Sequence, residues 1–187
     1  MRRTRFAAVA FAFGTSLCLM GAAAVVRPAA PAAALDDPTI VAIFDGANTA
    51  DIETGRLAVE RGQSKEVREF GAMLARDHEY VRGLGRDLAK KLDVTPTPPK
   101  DGQGARDHAA AMARLRAASD ADFDHAFLQH EAAFHKAVID AVTTTLLPAI
   151  QNAELKALVV KVAPAFEAHM IAAQNLDKGL AHSAAGH

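Results

Sequence analysis

Apolar residues recur every three or four positions over most of this chain, which is the period of an amphipathic α-helix. The pattern predicts a first helix from about Pro38 to Gly62 and a second from about Lys65 to Leu92. Gly62-Gln63-Ser64 supplies a helix stop followed by a new N-cap. The two helices should therefore form an antiparallel hairpin.

The helical periodicity is interrupted in the middle of the chain. The segment from Val94 to Gly104 contains three prolines and two glycines and is predicted to be a loop. A short connecting helix is expected from Arg106 to Ala118. Few segments alternate in the manner of a β-strand, so the chain should be all-helical.

A second hairpin is predicted after the connecting helix. Its first helix starts at Ser119 or Asp120 and should bend or end at Pro148. Its second helix runs from about Asn152 to Leu180, with a kink at Pro164, and 181–187 forms a flexible tail. The fold class is therefore all-α: an antiparallel four-helix bundle with a short additional connecting helix, over residues 35–180.

Each predicted long helix carries one ionisable residue in its apolar stripe. Buried ionisable groups are costly unless they are paired or bind a metal. Four of them can form either a metal site or a hydrogen-bonded polar layer, and both interpretations stay open here. Imidazole and carboxylate suit Zn, Fe, Cu or Ni and do not distinguish among them. The four residues are Asp51, His78, His135 and His169.

The other acidic residues and histidines that could contribute to such a site are interpreted in three groups. Glu131, one turn before His135, is a further candidate ligand, and Asp77 is expected at the helix surface or behind a metal-bound imidazole. Glu53, Glu60, Glu79 and Glu167 are expected to be solvated. The other histidines are expected on the surface or in the tail: His108, His125, His130, His182 and His187.

A weak internal repeat relates the two hairpins. Ser64 to Phe70 matches Asn152 to Leu158 as cap, any residue, Glu, apolar, basic, any residue, apolar. The ionisable positions lie at nearly equal offsets on either side of each hairpin turn. Antiparallel helices rise by the same amount per residue, so each pair should lie at a similar height in the bundle.

The N-terminal segment resembles an export signal. Arg2, Arg3 and Arg5 precede an apolar run from Phe6 to Val26, and small residues follow up to Ala34. This order predicts a secretory signal peptide over 1–34, cleaved after Ala34, and a periplasmic or secreted protein. An uncleaved membrane anchor is the alternative. The single cysteine, Cys18, lies in the signal, so the mature chain would have neither disulfides nor thiolate ligands.

The net charge of the mature chain argues against two classes of partner. Four of the 21 Lys and Arg residues lie in the predicted signal peptide and all 22 Asp and Glu residues lie in the mature chain, whose net charge is therefore 17 − 22 = −5. This argues against nucleic-acid binding and against attachment to anionic lipid. No membrane contact is expected unless the signal is uncleaved, and no protein partner is indicated.

Several enzyme signatures are missing from the sequence. A di-iron carboxylate centre uses Glu-x-x-His on two helices, whereas this chain has Glu131-x-x-x-His135 and Glu167-x-His169. No His-Glu-x-x-His, phosphate-loop or Gly-x-Ser-x-Gly motif occurs. An enzymatic activity is therefore not indicated, and the alternative is an envelope or stress-tolerance protein whose buried polar layer is structural.

Several short segments between about Phe44 and Leu180 form an ordered set: Ala50-Asp51-Ile52, Gly55-Arg56-Leu57-Ala58, Glu66-Val67, Phe70-Gly71-Ala72-Met73-Leu74, Asp77-His78, His135, and Pro164 with His169 and Ala172. Together these segments resemble a bacterial exported family known as domain of unknown function 4142, which is placed among ferritin-like four-helix folds. The family usually has Glu where this chain has Asp51. The resemblance implies the fold and export, but no activity.

Overall fold

The computed structural model describes residues 35–100 and 102–185, and all regular structure in these residues is helical. The all-α prediction is confirmed. The predicted signal segment, its cleavage site and residues 186–187 lie outside the described residues. The helices are α1 (Asp37–Arg61), α2 (Lys65–Lys91), α3 (Gln103–Ala117), α4 (Asp120–Ala141), α5 (Leu147–Ala149) and α6 (Ala153–Ala185).

Helix starts follow the capping residues in the sequence. The Asp36 carboxylate accepts a hydrogen bond from the Thr39 backbone N–H at 2.9 Å, and Pro38 occupies the first turn of α1. The Ser64 hydroxyl caps α2 by accepting from the Val67 backbone N–H at 3.2 Å. The boundaries predicted from the sequence for α1 and α2, the helices of the first hairpin, are therefore correct within one residue.

Three boundaries differ from the sequence predictions. Helix α3 begins at Gln103, three residues early, because Gly102 adopts φ 57° and ends the loop there. A π-helical turn at Val142–Leu146 carries the chain from α4 into α5. Helix α6 continues to Ala185, so the part of the expected tail before 186 is helical; it is Ala-rich and contains no helix breaker.

The four long helices form a closed ring. Helix α1 packs along α2 and α4 along α6, while α2 also contacts α6 and α1 contacts α4. The tight connection through Gly62 makes α1 and α2 antiparallel neighbours. Helix α3 packs on α1 and α4 outside this ring. No helix in the described residues is both long and apolar enough to cross a membrane.

Matching carboxylates tie the two hairpins together. The Asp124 carboxylate of α4 accepts hydrogen bonds from the Gln63 and Ser64 backbone N–H groups, both at 2.8 Å. The Asp37 carboxylate of α1 accepts from the corresponding N–H groups before α6, at 2.9 and 2.8 Å. The repeat in the sequence is thus accompanied by a repeated contact, in which each hairpin turn is held by the first helix of the other hairpin.

The core consists of two apolar clusters separated along the bundle axis. One contains Ile40 and Phe44 of α1 with Val159 and Phe166 of α6, and the other contains Leu74 of α2 with Phe123, Phe127 and Leu128 of α4. Apart from Asp124, which holds the first hairpin turn, the buried polar residues of each long helix lie between the apolar residues of one cluster and those packed in the other. A polar layer therefore crosses the middle of the bundle.

Candidate metal centre

The polar layer contains every candidate ligand predicted from the sequence. It is formed by Asp51 of α1, His78 of α2, Glu131 and His135 of α4, and His169 of α6, all of them buried. The prediction that the four original candidates point inward from four different helices is confirmed. Glu131, the further candidate, belongs to the same layer.

The three histidines converge on one point. One ring nitrogen from each of His78, His135 and His169 lies within 4.8 Å of the other two. The ring centroids are 5.1 to 5.5 Å apart. The Phe166 ring closes one side of the group, at 5.3 Å from His78 and 6.0 Å from His135. A second set of ligand atoms, from Asp51, Glu131 and His135, shares one histidine with the first.

Each imidazole has an acceptor on its outer side. His78 Nδ1 lies 3.0 Å from Asn48 Oδ1, and the Asn48 amide N–H donates to the Phe44 carbonyl at 2.8 Å, so the oxygen faces the ring. His135 Nδ1 lies 2.9 Å from the Glu131 backbone carbonyl. His169 Nε2 lies 3.4 Å from Asp77 Oδ2. Because these partners can only accept, the outer nitrogen of each ring carries the proton.

The inner nitrogens of the neutral rings are therefore unprotonated. His78 Nε2 and His169 Nδ1 lie 3.2 Å apart, close enough for a hydrogen bond, but in these tautomers neither has a proton to donate. His135 Nε2 is buried without a hydrogen-bond partner among the described residues. In these tautomers three lone pairs thus face a common centre without a donor.

The two carboxyl groups are equally unsatisfied. No oxygen of Asp51 or Glu131 has a hydrogen-bond partner within the described part of the chain. Asp51 Oδ2 lies 3.4 Å from His78 Nδ1, and Asp51 Oδ1 lies 3.8 Å from His135 Nε2. Glu131 Oε2 lies 3.6 Å from His135 Nδ1. Unsatisfied buried carboxyls are costly, so this arrangement requires a proton or a cation.

Burial keeps the imidazoles neutral. It lowers the pKa of His78 to about 3, with His135 and His169 adding to the decrease. Burial lowers the pKa of His135 to about 4, against the effect of the Glu131 carbonyl. The pKa of His169 is also lowered by burial, while Asp77 opposes the shift. Neutral imidazole is the form that binds metals.

Burial has the opposite effect on the acids. It raises the pKa of Glu131 to about 7, although the side chains of Thr54 and Asp51 oppose this shift. The pKa of Asp51 is raised well above its ordinary value by burial and by the neighbouring Glu131 carboxyl. Both carboxyl groups therefore hold a proton to higher pH than exposed acids do. A cation bound beside them would take the place of a proton.

Some members of the layer were not anticipated from the sequence. Asn48 and Thr54 are fully buried beside the acids, and the Thr54 hydroxyl donates to the Ala50 and Asp51 carbonyls, each at 3.2 Å. Asn48 could have been found, because it follows Phe44 by four residues and precedes Asp51 by three on the same helix face. Asp77 lies behind His169, one of the two places expected for it.

Two of the histidines expected on the surface, His108 and His130, are only partly exposed. His130 is half-buried, and burial lowers its pKa to about 4 with help from Arg114 and His108. His108 is also half-buried, and its Nε2 lies 2.8 Å from Glu53 Oε2. Helix α3 packs on α1 and α4, where it covers residues that would otherwise be exposed. His125 is exposed as predicted and pairs with Asp177.

Over residues 22–176 the chain matches the family described as Domain of unknown function (DUF4142). The chain belongs to this family. No curated protein and no solved structure matches it. The family assignment confirms the resemblance seen in the sequence and brings no activity with it, so the function has to be inferred from the polar layer.

Proposed function

We propose that this protein is an exported helical bundle that binds one transition-metal ion through Asp51, His78, His135 and His169. The observation that carries the proposal is the convergence of three buried ring nitrogens, in which His78 Nε2 and His169 Nδ1 lie 3.2 Å apart and His135 Nε2 has no hydrogen-bond partner among the described residues. When the outer nitrogens carry the protons, the facing nitrogens present lone pairs that repel each other. A metal ion between them would turn that repulsion into bonds.

The distance between His78 Nε2 and His169 Nδ1 is close to the distance between two nitrogen ligands of one metal ion. A tetrahedral ion with Zn–N bonds of about 2.05 Å holds two ligand nitrogens about 3.3 Å apart. His135 Nε2 supplies a third nitrogen, and Asp51 Oδ1, 3.8 Å from it, supplies an oxygen. Glu131 adds a second negative charge beside the ion. The site would thus receive three neutral ligands and at least one anion.

The outer hydrogen bonds support the same role. Imidazoles that bind metals nearly always donate their other N–H to a carboxylate or a carbonyl, which fixes the ring and its tautomer. Asn48, Asp77 and the Glu131 carbonyl provide such acceptors here. The ligand set favours Zn, Fe, Cu or Ni over Mg or Ca, which prefer oxygen.

We also propose that the protein is exported from the cytoplasm. The Arg-rich start, the apolar run and the small residues before Leu35 support a periplasmic or secreted protein that does not bind nucleic acid. No reaction is assigned to the site. Its role is binding, since the sequence has neither the di-iron spacing nor a nucleophile motif.

One observation favours a second candidate function, a structural polar layer in an envelope or stress-tolerance protein. Asn48, His78, His169 and Asp77 form a continuous series of polar contacts across the bundle. If His78 or His169 takes the other tautomer, the two rings form a hydrogen bond with each other, at the expense of one outer hydrogen bond, and the contact needs no metal. The layer would then serve to specify the packing of the helices.

The test uses the mature chain from Leu35, without an affinity tag, carrying His182→Ala and His187→Ala to remove histidines outside the site. We expect one metal ion per chain by elemental analysis after dialysis. The melting temperature should rise with free metal concentration, since a ligand of the folded state at 100 times its Kd stabilises by about 2.7 kcal/mol. His135→Ala should abolish both effects while the circular dichroism stays helical.

His125→Ala is the matched control, because His125 is exposed on the same helix as His135. It should bind metal like the parent chain. A parent chain whose melting temperature is the same with Zn, Cu, Ni, Fe or a chelator would refute the metal site. A large destabilisation by His135→Ala in the chelated protein would then support the structural layer, because stranded buried partners cost about 1–3 kcal/mol each.

A further inference from the structure

Solvent contact within the polar layer is confined to one side. Asp51, Glu131 and His135 are at most 1% exposed and His78 is 2% exposed, whereas His169 is 6% exposed. The outer nitrogen of His169 faces Asp77, whose side chain is 35% exposed. Asp77 is thus the first solvent-exposed group outside the layer, at the contact between α2 and α6.

Asp77 has a cation on its other oxygen. The Arg76 guanidinium donates to Asp77 Oδ1 through Nε at 2.9 Å and through Nη2 at 2.8 Å. Asp77 Oδ2 is left for His169. The Arg76 side chain is 73% exposed and can move into solvent without disturbing the core. A positive charge therefore lies beside the partly exposed carboxylate that contacts the outer nitrogen of His169.

We infer that Asp77 and Arg76 form the uptake point for the metal ion, an inference that rests on the proposed function. Asp77 attracts the cation from solvent and passes it to the histidines past His169. Arg76 opposes this step, since its guanidinium occupies Asp77 and repels an approaching cation. The pair thus sets the rate of loading, while the buried ligands set the affinity.

The Phe166 side of the histidines offers a less suitable route. A surface cavity of about 290 Å³ between α4 and α6 reaches Phe166, the ring that closes off His78 and His135. Its lining is mainly apolar and includes one carboxylate, that of Glu167. A hydrated dication would have to pass the Phe166 ring, which cannot replace its water ligands. The Asp77 side, where a carboxylate contacts a ring of the site directly, is therefore the better path for a cation.

The test measures uptake of Co²⁺ by the metal-free protein in a stopped-flow instrument, through the visible absorption of the bound ion. Charges near a site alter association rates by about 10-fold to 1,000-fold, and salt screens the effect. We expect Arg76→Gln to accelerate association roughly tenfold at low salt. Asp77→Asn should slow it by a similar factor and flatten its salt dependence. Arg56→Gln is the matched control, because Arg56 forms an equivalent exposed pair with Glu79, and it should leave the rate unchanged.

Four results would overturn the inference. If Asp77 only orients His169, Asp77→Asn will accelerate dissociation and leave the association rate as it is. If Phe166→Ala accelerates uptake while Arg76→Gln does not, the ion arrives through the apolar cavity. If the unmodified protein takes up no Co²⁺ and no other metal, the proposed function fails and the uptake point with it. Uptake by the unmodified chain with unaltered rates in the Arg76 and Asp77 variants removes the uptake point alone.

Discussion

Replacing Glu131 by Gln in the metal-free protein should change how stability depends on pH. This carboxyl is fully buried, and burial raises its pKa from the ordinary value of 4.5 to about 7. Between these two pH values the folded chain keeps a proton that the unfolded chain has released. The stability that Glu131 provides in this way is complete below pH 4.5 and is lost as the pH rises through 7.

The magnitude follows from the size of the shift. One pKa unit corresponds to about 1.36 kcal/mol, so a shift of about 2.5 units amounts to roughly 3 kcal/mol between pH 4.5 and pH 7.5. A Gln side chain has nearly the same shape and does not titrate. The variant and the parent should be about equally stable near pH 4, and the variant should be roughly 3 kcal/mol more stable near pH 8.

The assay is urea unfolding with a chelator present, at half-unit intervals from pH 4 to pH 8. The histidines add their own pH dependence: their lowered pKa values make stability fall as the pH drops below 6.5. Both proteins keep these histidines, so the effect cancels in the difference curve. The replacement also removes the contribution of Glu131 to the raised pKa of Asp51, which adds to the difference in the same direction. Glu60→Gln, an exposed position on α1, controls for the loss of a charge. Parallel stability curves for the Glu131→Gln variant and its parent would refute the reasoning.

Three further predictions concern packing, capping and export. Gly71→Ala should destabilise the protein by about 1–3 kcal/mol, because an added Cβ would lie 2.6 Å from the Gly55 carbonyl oxygen. Gly83→Ala on the same helix is the control, since its added Cβ meets nothing within 4 Å and should not destabilise the protein. Thermal melts compare the two variants, and equal melting temperatures would contradict the close approach of α1 and α2. Asp124→Ala should cost about 1–3 kcal/mol by leaving two backbone N–H groups without their acceptor, and unfolding with urea would show the prediction wrong if stability were unchanged. Protein recovered from the periplasm or the medium should begin near Leu35 by N-terminal sequencing, and intact Met1 in that pool would favour an anchored chain instead.

Local interactions made the helices predictable from the sequence. Capping residues and apolar spacing act within a few positions, so the start of α2 after Ser64 and the first turn of α1 at Pro38 follow from neighbouring residues alone. The inward direction of Asp51, His78, His135 and His169 followed from the same periodicity. The predictions were less accurate at Gly102, where a left-handed residue ends the loop, and beyond Leu180, where an Ala-rich segment continues the helix.

Contacts between helices determined the features that local sequence could not predict, namely which atoms meet in the polar layer. Whether a histidine ring presents its bare nitrogen to the centre depends on acceptors from other turns and other helices, such as Asn48 and Asp77, and no spacing rule contains that information. The same holds for Glu131, which became part of the layer because α1 and α4 bring it beside Asp51. Periodicity specifies the face of a helix on which a residue lies. Only the docking of four helices specifies which atoms meet there, because those distances depend on every side chain packed between them.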